Sequence, residues 1–354
     1  MFSWFKRKKT IAFQVQIGEG GQIIDLQQGD NLLAAALERG VAYPHNCRVG
    51  TCGHCKTKVL SGKVKPMMDF ALSPLTAQEL KEGYVLACQS KVQSDLLISV
   101  KTDTTEHRTG KISSVQRLPG EVLALKLELD LPLKFEAGQY ANMSLQDSHV
   151  SRSYSFADEP LVKGNNKVSF LIRRIPGGAF SDLMWQTAAP GMSMSLTGPY
   201  GSMGAANVDV NSVCIAGGTG LAPVLSIVLD RLKKSSSARF TILFGMGRKE
   251  ENFAHEILEE LSIFSAGRVQ TKLILSDEPL ESNWSGNRGL VTDLLTKELM
   301  ATALAKTAFV CGSTPMVKAC RDQLISLGWE DKNIYTDAFL PSGAANLSIN
   351  QSNL

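Results

Sequence analysis

The N-terminal part of the chain alternates apolar and polar positions in a way that predicts a small mixed domain. Residues 11–17 and 56–60 are strand-like, and residues 31–38 have the apolar spacing of a helix. The polar stretch 101–108 that follows is typical of a linker. The pattern predicts an α+β domain over residues 11–101.

A second pattern begins after this linker and consists of short strand-like segments. Residues 111–116 and 122–128 alternate or are continuously apolar, and turn residues such as Pro119-Gly120 separate the segments. Short strands with turns between them predict an antiparallel β-barrel. This domain is expected over residues 109–205.

From about residue 206 the pattern changes again, and strands alternate with helices. The first strand leads into a glycine-rich turn and an apolar helix that extends to about Leu232. This order is typical of a parallel α/β sheet, expected over residues 206–340. The chain is therefore predicted to be a multidomain protein of α+β and α/β class. The predicted strands of this region are 212–216, 240–244, 271–275 and 307–310.

Two uncharged stretches are long enough to resemble membrane spans. Glycines and Pro223 interrupt residues 210–229, and Pro190 and Pro199 interrupt residues 183–208. Such residues break a lipid-exposed helix. The N-terminus has no apolar segment after its basic run, although a secretory signal requires one. These features predict a cytoplasmic protein without a membrane-spanning segment.

The charge distribution excludes nucleic acid as a partner. Lysine and arginine exceed aspartate and glutamate by 37 − 34 = 3, but four of the cations are Lys6–Lys9. Without them the balance is 33 − 34 = −1, so the body lacks the basic surface that nucleic-acid binding needs. The leader 1–10 adds three aromatic residues to these cations, which would suit contact with an anionic membrane surface; a disordered leader is the favoured interpretation. Residues 341–354 are predicted to form a mobile polar tail.

Four of the seven cysteines lie in the first predicted domain with a distinctive spacing. Cys47, Cys52 and Cys55 form a C-x4-C-x2-C run, and Cys88 follows at a distance. This spacing is typical of plant-type ferredoxins, whose thiolates bind a [2Fe–2S] cluster. Glycines at positions 50 and 53 permit left-handed turns that direct backbone amides inward. We therefore predict all four cysteines as cluster ligands.

The strand order and the cysteine loop resemble the β-grasp fold of plant-type ferredoxins over about residues 10–101. Two alternatives use the same residues. The cysteines with His45 or His54 would form a zinc site, and Cys52-Gly53-His54 resembles half of a Rieske site. The remaining histidines have no cysteine within three residues, so the second half of a Rieske site is missing. The ferredoxin interpretation is favoured.

Two motifs of the predicted barrel have the chemistry of a flavin site. In Arg152-Ser153-Tyr154-Ser155, the guanidinium can neutralise a pyrophosphate and the tyrosine ring can stack on an isoalloxazine, with Ser155 near its redox-active nitrogen. In Gly177-Gly178-Ala179-Phe180-Ser181, the glycines permit close backbone approach and, with Ser181 at a helix start, an anion site. Both motifs resemble those of the ferredoxin–NADP reductase superfamily, which implies bound FAD.

Two further motifs follow strands of the α/β region. Amides at the turn Gly217-Gly218-Thr219-Gly220 and the helix after it suit a dinucleotide pyrophosphate, although Pro223 replaces the usual third glycine. Cys311-Gly312-Ser313-Thr314-Pro315-Met316 lies at a strand's carboxyl end, where α/β sheets bind ligands. Both segments resemble the same superfamily, in which the second lies beside the nicotinamide. A packing role is the alternative for Cys311.

Two more positions bear on the coenzyme and the flavin. Arg248 and the segment ending at Phe253 resemble NADH-linked relatives, which favours NADH; Arg248 and Lys249 would alternatively meet the 2′-phosphate of NADPH. Phe339 lies near the position where relatives place an aromatic residue against the flavin, and a core position is the alternative.

The three regions in this order resemble the reductase components of bacterial multicomponent oxygenases, and Arg288-Gly289-Leu290-Val291-Thr292 adds to the resemblance. It implies that NADH reduces FAD, that FAD reduces the cluster, and that electrons pass to a separate terminal oxygenase, as in aromatic hydrocarbon catabolism. A leader that binds membrane would favour a membrane-bound oxygenase, and the chain itself is expected to be a monomer. The alternatives are a reductase for another acceptor, such as a deoxysugar dehydratase, and a zinc-stabilised interaction protein without activity.

These motifs define the predicted site. The predicted catalytic residues are Tyr154, Ser155 and Cys311. The predicted cofactor-binding residues are Arg152, Ser153, Tyr154, Ser155, Arg173, Gly177, Gly178, Phe180, Ser181, Gly217, Gly218, Thr219, Gly220, Arg248, Phe253, Cys311, Gly312, Pro315, Met316 and Phe339.

Overall fold

The computed structural model describes residues 11–41, 43–44, 50, 53, 55–67, 75, 77–100, 106–146, 148, 150–201, 203–204, 211–299, 305 and 307–339. The predicted leader 1–10 and tail 341–354 lie outside these residues. The chain divides between residues 104 and 105 into two compact units, which we call the N-terminal and the C-terminal unit.

The N-terminal unit contains a five-stranded mixed sheet and a two-stranded ribbon. Its strands are β1 (Ala12–Ile17), β2 (Ile23–Gln27), β3 (Lys56–Ser61), β4 (Val64–Pro66), β5 (Tyr84–Leu86), β6 (Ser90–Val92) and β7 (Leu96–Val100), and its helices are α1 (Leu32–Glu38) and α2 (Ala77–Lys81). The sheet has the order β2-β1-β7-β3-β5, with β1 and β7 parallel, and the ribbon pairs β4 with β6.

Helix α1 covers the core of this sheet. Asn31 caps the helix, because its Oδ1 accepts a hydrogen bond from the Ala34 amide at 3.0 Å. Leu32 is fully buried in one hydrophobic cluster with Val15 and Ile98 of the sheet. A mixed sheet crossed by one helix is the β-grasp arrangement, so the predicted fold of this region is confirmed.

The first half of the C-terminal unit is an antiparallel barrel. Its elements are β8 (Glu106–Leu118), β9 (Val122–Leu133), β10 (Tyr140–Leu145), β11 (Ser151–Ser155), β12 (Asn165–Arg173), β13 (Ser193–Tyr200) and the helix α3 (Ser181–Thr187). The strand order is β11-β10-β13-β8-β9-β12. An antiparallel bridge between Phe156 and Phe170 joins the two ends of the sheet and closes the barrel.

The second half of the C-terminal unit is a parallel α/β sheet. Its strands are β14 (Ser212–Gly217), β15 (Phe240–Met246), β16 (Val269–Leu275), β17 (Asn287–Arg288), β18 (Thr307–Ser313) and β19 (Ile334–Phe339), and its helices are α4 (Leu221–Lys234), α5 (His255–Phe264) and α6 (Thr314–Ser326). The order β17-β16-β15-β14-β18-β19 is parallel throughout. Starting from β14, the chain adds β15, β16 and β17 on one side of that strand and β18 and β19 on the other side. The point beside β14 where the strand order reverses is a topological switch point.

The barrel and the α/β sheet share one hydrophobic core. Val122 and Leu171 of the barrel belong to the same buried cluster as Ile227 and Phe244 of the α/β half. The sequence analysis separates these halves at residue 205, whereas the structure joins them in one compact unit. The shared core explains this, because each half covers apolar residues of the other. None of the helices in the described part of the chain is long and apolar enough to cross a membrane.

Candidate functional site

Two of the four predicted cluster ligands come together in the N-terminal unit. Cys55 precedes β3 and Cys88 follows β5, and they are only 3% and 4% exposed. The Cys88 amide donates a hydrogen bond to Cys55 Sγ at 3.4 Å, and the Ala87 amide donates to the Cys55 carbonyl at 3.0 Å. Amide donors of this kind stabilise the charge of cluster thiolates and tune the cluster's potential. The pair therefore fits an iron–sulfur ligand set.

A buried hydroxyl pair supports Cys55 on its backbone side. The hydroxyl groups of Tyr43 and Thr57 are 2.5 Å apart, and Thr57 donates to the Cys55 carbonyl at 3.0 Å. Burial raises the pKa of Tyr43, and the thiols of Cys55 and Cys88 raise it further. Tyr43 is therefore a neutral phenol that donates its proton to Thr57 Oγ1, so the two hydroxyls form a chain that ends on the Cys55 carbonyl.

The rest of the cysteine loop is described only in part. Gly50 and Gly53 have φ angles of +91° and +71°, which is the left-handed conformation that the sequence predicts. Cys47, Cys52, His45 and His54 lie outside the described residues. Their assignment as ligands, or as bystanders in the case of the histidines, therefore remains a prediction.

Strand β11 carries the Arg-x-Tyr-Ser motif. Arg152 and Tyr154 project from the same face of the strand, because side chains alternate along it. Tyr154 is half-buried, its ring lies 5.7 Å from that of Phe180, and burial raises the pKa of its phenol. Arg152 donates to the Ser151 carbonyl at 2.8 Å, and it forms no ion pair with a described carboxylate. An unpaired guanidinium next to a stackable ring fits a flavin pyrophosphate and isoalloxazine.

The two serines of the same strand have different environments. Ser153 donates from its hydroxyl to Asn142 Oδ1 at 2.9 Å, which fixes β11 against β10. Ser155 is 5% exposed. The catalytic role predicted for Ser155 stays a prediction.

The loop before α3 carries the glycines of the predicted anion site. The Gly177 amide donates to Asp182 Oδ2 at 3.0 Å, and the Gly178 amide donates to the Ile175 carbonyl at 2.8 Å. Ser181 Oγ accepts from the Ile175 amide at 3.1 Å. Both glycine amides thus have partners within the loop, and the anion site expected of these glycines with Ser181 stays a prediction. In the first turn of α3, the Asp182 amide likewise donates within the loop, to the Gly178 carbonyl at 3.2 Å.

Glycine is nevertheless required in this loop. A Cβ on Gly178 would lie 2.8 Å from the Ile175 carbonyl oxygen and 3.0 Å from Ser181 Oγ. Gly177 has a φ of +71°, and nothing lies within 4 Å of its Cβ position. The loop is thus tight on its inner side and open on its outer side, where a cofactor could approach the backbone.

The two nucleotide motifs meet at the ends of neighbouring strands. β14 pairs in parallel with β18, with Ala216 opposite Cys311, so the segments that follow lie side by side. A Cβ on Gly217 would collide with Met316 Sδ, and one on Gly220 would collide with the Cys311 carbonyl. A Cβ on Gly312 would lie 2.7 Å from Met316 Sδ. The described members of the two motifs, which include Thr219 in the turn and Pro315 in the first turn of α6, therefore form one surface.

This surface has the donors that a phosphate needs. α4 is a helix of 14 residues that begins at Leu221 without a side-chain cap. The Leu221 amide donates to the carbonyls of Gly218 and Thr219, and Pro223 has no amide hydrogen, so the preceding turn Gly217–Gly220 is the backbone that would face a phosphate. Arg173, the last residue of β12, reaches across from the barrel, and its Nη1 lies 3.8 Å from the Cβ position of Gly218. The predicted cofactor residue Arg173 thus lies at the boundary of both halves.

The turn after β15 is acidic as well as basic. Arg248 is exposed, as a coenzyme contact requires. A Cβ on Gly247 would lie 2.8 Å from Glu251 Oε2 and 3.4 Å from Asp277 Oδ2, so two carboxylates converge beside Arg248. Sequence analysis missed Asp277, although its position directly after β16 at the ligand-binding edge could have indicated it.

Phe253 does not face this turn. It is 6% exposed, and its ring packs edge-to-face against Phe244 at 5.9 Å in the hydrophobic core. Packing in the core holds the ring of Phe253 away from the surface, and the coenzyme contact expected of this residue stays a prediction.

Cys311 and Asp337 are cross-strand neighbours in β18 and β19. Cys311 is fully buried, and burial together with the Asp337 charge raises the pKa of its thiol, which stays protonated. Burial raises the pKa of Asp337 from 3.8 to about 6. Asp337 was missed by sequence analysis, and the available signal was that it is the one charged residue of the last strand. The catalytic role of Cys311 and the flavin contact of Phe339, which is partly buried on the core, stay predictions.

Three domain families match consecutive parts of this chain. A 2Fe-2S iron-sulfur cluster binding domain covers residues 15–93. An oxidoreductase FAD-binding domain covers residues 109–204, and an oxidoreductase NAD-binding domain covers residues 214–322. The fold and the site therefore define an iron–sulfur flavoprotein oxidoreductase that uses a nicotinamide coenzyme, and its cofactors are a [2Fe–2S] cluster and FAD.

Relatives extend over almost the whole chain. The xylene/toluene monooxygenase electron transfer component of Pseudomonas putida is 32% identical over 327 residues, which cover 91% of this chain and 92% of that protein. The solved structure of an Amycolatopsis cytochrome P450 reductase has a TM-score of 0.65 and 28% identity, covering 93% of this chain and 99% of that one. This chain belongs to the family of electron-transfer reductase components of multicomponent oxygenases, as its motifs predict.

A relative with another acceptor is also present. The CDP-6-deoxy-L-threo-D-glycero-4-hexulose-3-dehydrase reductase of Yersinia pestis is 27% identical over 340 residues, covering 94% of this chain and all (100%) of that protein. The same architecture therefore occurs in a deoxysugar system, which was the alternative considered from the sequence.

Proposed function

We propose that this protein takes electrons from NADH and delivers them one at a time to a separate terminal oxygenase. The observation that carries this proposal is the junction of the two halves of the C-terminal unit, where Arg173 of the barrel reaches Gly218 of the nucleotide loop. A flavin held by the barrel and a nicotinamide held by the α/β sheet would meet at this junction. Direct contact of this kind is what hydride transfer requires.

The barrel residues hold the flavin in this proposal. Arg152 pairs with the pyrophosphate, because its guanidinium has no described carboxylate partner. Tyr154, braced by Phe180, presents its ring to the isoalloxazine. The bound groups supply the electron chemistry, since nicotinamide gives a hydride, flavin converts two electrons to single ones, and the cluster carries single electrons. The protein's task is to position them and to exclude water.

The α/β residues hold the coenzyme. The backbone of the turn Gly217–Gly220 receives its pyrophosphate, with Arg173 beside Gly218. Gly312 and Met316 line the adjacent strand end, where the nicotinamide would lie. Cys311 supports this wall as a neutral thiol, because its pKa is raised by burial.

The coenzyme turn favours NADH. Glu251 and Asp277 converge on Gly247, where their carboxylates would accept hydrogen bonds from ribose hydroxyls and repel a 2′-phosphate. Lys249 does not offset them, because its Nζ is engaged by Asn283 and lies 3.9 Å from buried Glu278. Arg248 is then the single exposed cation of the described turn 245–251 left to meet NADPH.

Anaerobic titration tests the proposal. The purified protein should contain FAD and two irons per chain, and NADH should bleach its visible absorbance and produce a rhombic paramagnetic resonance signal. NADPH should do so more slowly. A colourless protein, or one whose flavin is reduced while the resonance signal stays absent, would contradict it.

The acceptor, the location and the oligomeric state need separate measurements. The 27% identical dehydrase reductase supports a deoxysugar system as the second candidate acceptor, and turnover with each purified acceptor separates the two. We further propose a cytoplasmic monomer whose leader 1–10 contacts an anionic membrane. Co-sedimentation with anionic liposomes should decrease when the leader is deleted, and an unchanged fraction would exclude that contact. Sedimentation velocity measures the mass of the protein in solution, which should be that of one chain if the protein is a monomer.

A further inference from the structure

The β4–β6 ribbon of the N-terminal unit carries unusual charges. Lys65 of β4 lies directly opposite Lys91 of β6, and Lys63 precedes the ribbon; all three side chains are exposed. Like charges directly opposite one another on paired strands destabilise the pairing. The stability of the ribbon therefore does not explain why two lysines face each other across it.

These lysines lack the partners that other lysines of the unit have. Lys56 forms an ion pair with Glu79 at 2.5 Å, and Lys58 lies over the Tyr84 ring at 5.4 Å. Among the described residues, no carboxylate forms an ion pair with the lysines of the ribbon. Three unneutralised cations therefore share one surface.

Two described carboxylates on segments joined to the ribbon each accept a hydrogen bond from a backbone amide. Asp30 is joined to the ribbon, because its backbone carbonyl accepts a hydrogen bond from the Val92 amide. Its carboxylate accepts a hydrogen bond from the Gln27 amide at 2.8 Å. The Asp95 carboxylate accepts a hydrogen bond from the Gln14 amide at 2.8 Å. Both carboxylates keep their charge but stabilise their own turns, and neither forms an ion pair with a lysine of the ribbon.

The ribbon is also attached directly to a predicted cluster ligand. Asn31 donates from Nδ2 to the Cys88 carbonyl at 2.8 Å and approaches Met67 Sδ to 3.5 Å. The Met67 amide donates to the carbonyl of Gln89, the residue after Cys88, at 2.8 Å. Met67 is 49% exposed. An exposed apolar residue, two positions after Lys65, is thus hydrogen-bonded through its backbone to the residue after Cys88.

We propose that this surface, formed by Lys63, Lys65, Met67 and Lys91, is where a protein acceptor with an acidic surface docks to take the electron. The inference rests on the proposed function, since it places the exit of the electron beside Cys88. Complementary charge steers the encounter and sets the orientation of two proteins, and exposed methionines are common in the centre of interfaces. The uncompensated repulsion between Lys65 and Lys91 would be relieved by the partner's carboxylates.

The test measures how charge controls oxidation of the full-length protein. The protein is reduced anaerobically with dithionite and mixed with one equivalent of ferricyanide, an anion, or of hexaammineruthenium(III), a cation. Each oxidant gains one electron and the protein loses one. Rapid-freeze paramagnetic resonance follows the cluster signal alone. Acidic cytochrome b5 and basic cytochrome c, each also reduced by one electron, extend the comparison to protein acceptors.

The key variant is the double substitution Lys65→Glu/Lys91→Glu. It keeps a like-charge pair across the ribbon, so it reverses the field without changing the repulsion between the strands. Lys81→Glu, at an exposed lysine of α2 in the same unit, is the matched control.

We expect the double variant to react roughly tenfold more slowly with ferricyanide and cytochrome b5, and faster with the two cationic oxidants. Raised salt should shrink both effects. Equal rates in wild type and double variant, or an equal effect of Lys81→Glu, would overturn the inference. Because dithionite replaces NADH, a failure of NADH to reduce the wild type would contradict the proposed function and leave this measurement valid.

Discussion

Glu121 and Arg174 connect two turns of the barrel through both backbone and side chain. The Arg174 amide donates to the Glu121 carbonyl at 2.8 Å, and the guanidinium pairs with the Glu121 carboxylate. Arg174 Nε also donates to Asp182 at 2.7 Å. The turn at Gly120, whose Cβ position is 2.8 Å from the Glu251 carbonyl oxygen, is thereby tied to the loop before α3. One ion-pair network thus joins this turn to the proposed flavin loop, and the proposed coenzyme turn packs against the same turn through the Glu251 backbone.

Glu121 keeps this position in a strained conformation. Its φ is +55°, in the left-handed region that costs a residue with a side chain about 1 kcal/mol or more. We expect Glu121→Ala to destabilise the protein, because it keeps the strain and loses the ion pair. Glu121→Gly should be more stable than Glu121→Ala by about 1 kcal/mol, which reverses the usual order of these residues. Urea unfolding of both variants measures this, and equal stabilities would contradict the strain.

Gly220 is the glycine whose replacement the fold tolerates least in the nucleotide turn. A Cβ there would meet backbone atoms of Cys311 and the Gly312 nitrogen, whereas at Gly312 the nearest atom is the flexible Met316 Sδ at 2.7 Å. Gly220→Ala should lower the free energy of unfolding by about 1–3 kcal/mol and raise KM for NADH. Gly312→Ala is the comparison and should have a smaller effect. Urea unfolding measures the change in stability of both variants, and steady-state kinetics measures their KM for NADH. A larger effect of Gly312→Ala would show that the backbone clash at Gly220 does not govern binding.

Asp337 should give NADH oxidation a pH dependence. Burial raises its pKa to about 6, so its carboxylate ionises as the pH rises through that value. When hydride leaves, the nicotinamide becomes cationic, and a nearby ionised carboxylate stabilises it. We expect flavin reduction by NADH to accelerate through about pH 6 in the wild type. In Asp337→Asn the profile should be flat; a retained inflection would assign it to another group. Stopped-flow absorbance gives both profiles.

The same group has the opposite effect on stability. Because the folded pKa of Asp337 is raised above 3.8, the folded state holds its proton more tightly than the unfolded state does. The stabilisation of the folded state by protonated Asp337 is therefore fully present below about pH 4 and is lost as the pH rises through about 6. Asp337→Asn should remove this loss, which unfolding midpoints measured at several pH values would show.

The lysine ribbon makes a prediction about stability alone. Lys65→Glu replaces a like-charge pair with an opposite-charge pair across from Lys91, so the N-terminal unit should gain roughly 0.2–1 kcal/mol. The gain should disappear in Lys65→Glu/Lys91→Glu and should not occur in Lys81→Glu. Urea unfolding in low salt is the measurement. A destabilised Lys65→Glu would mean that Lys65 has a partner that the described residues do not contain.

Local pattern was enough to identify the elements and the motifs. The strands that begin at Ser212 and Thr307 appear where their apolar runs predict them, and α4 ends at Lys234, two residues beyond the predicted Leu232. Such runs depend on neighbouring residues, so the sequence records them directly. The cysteine spacing and the glycine-rich turns are likewise local, because a cluster or a phosphate constrains residues that are close along the chain.

Long-range packing decided the rest. Only the fold brings Cys88 to Cys55, and only the fold sends the ring of Phe253 into the core. Only the parallel register of β18 and β19 puts Asp337 beside Cys311. The sharing of a core by the barrel and the α/β sheet, and the opposition of Lys65 and Lys91, also join residues far apart in sequence. The physical reason is that burial, strand register and the field of one side chain on another depend on distances in space, which spacing along a chain does not record.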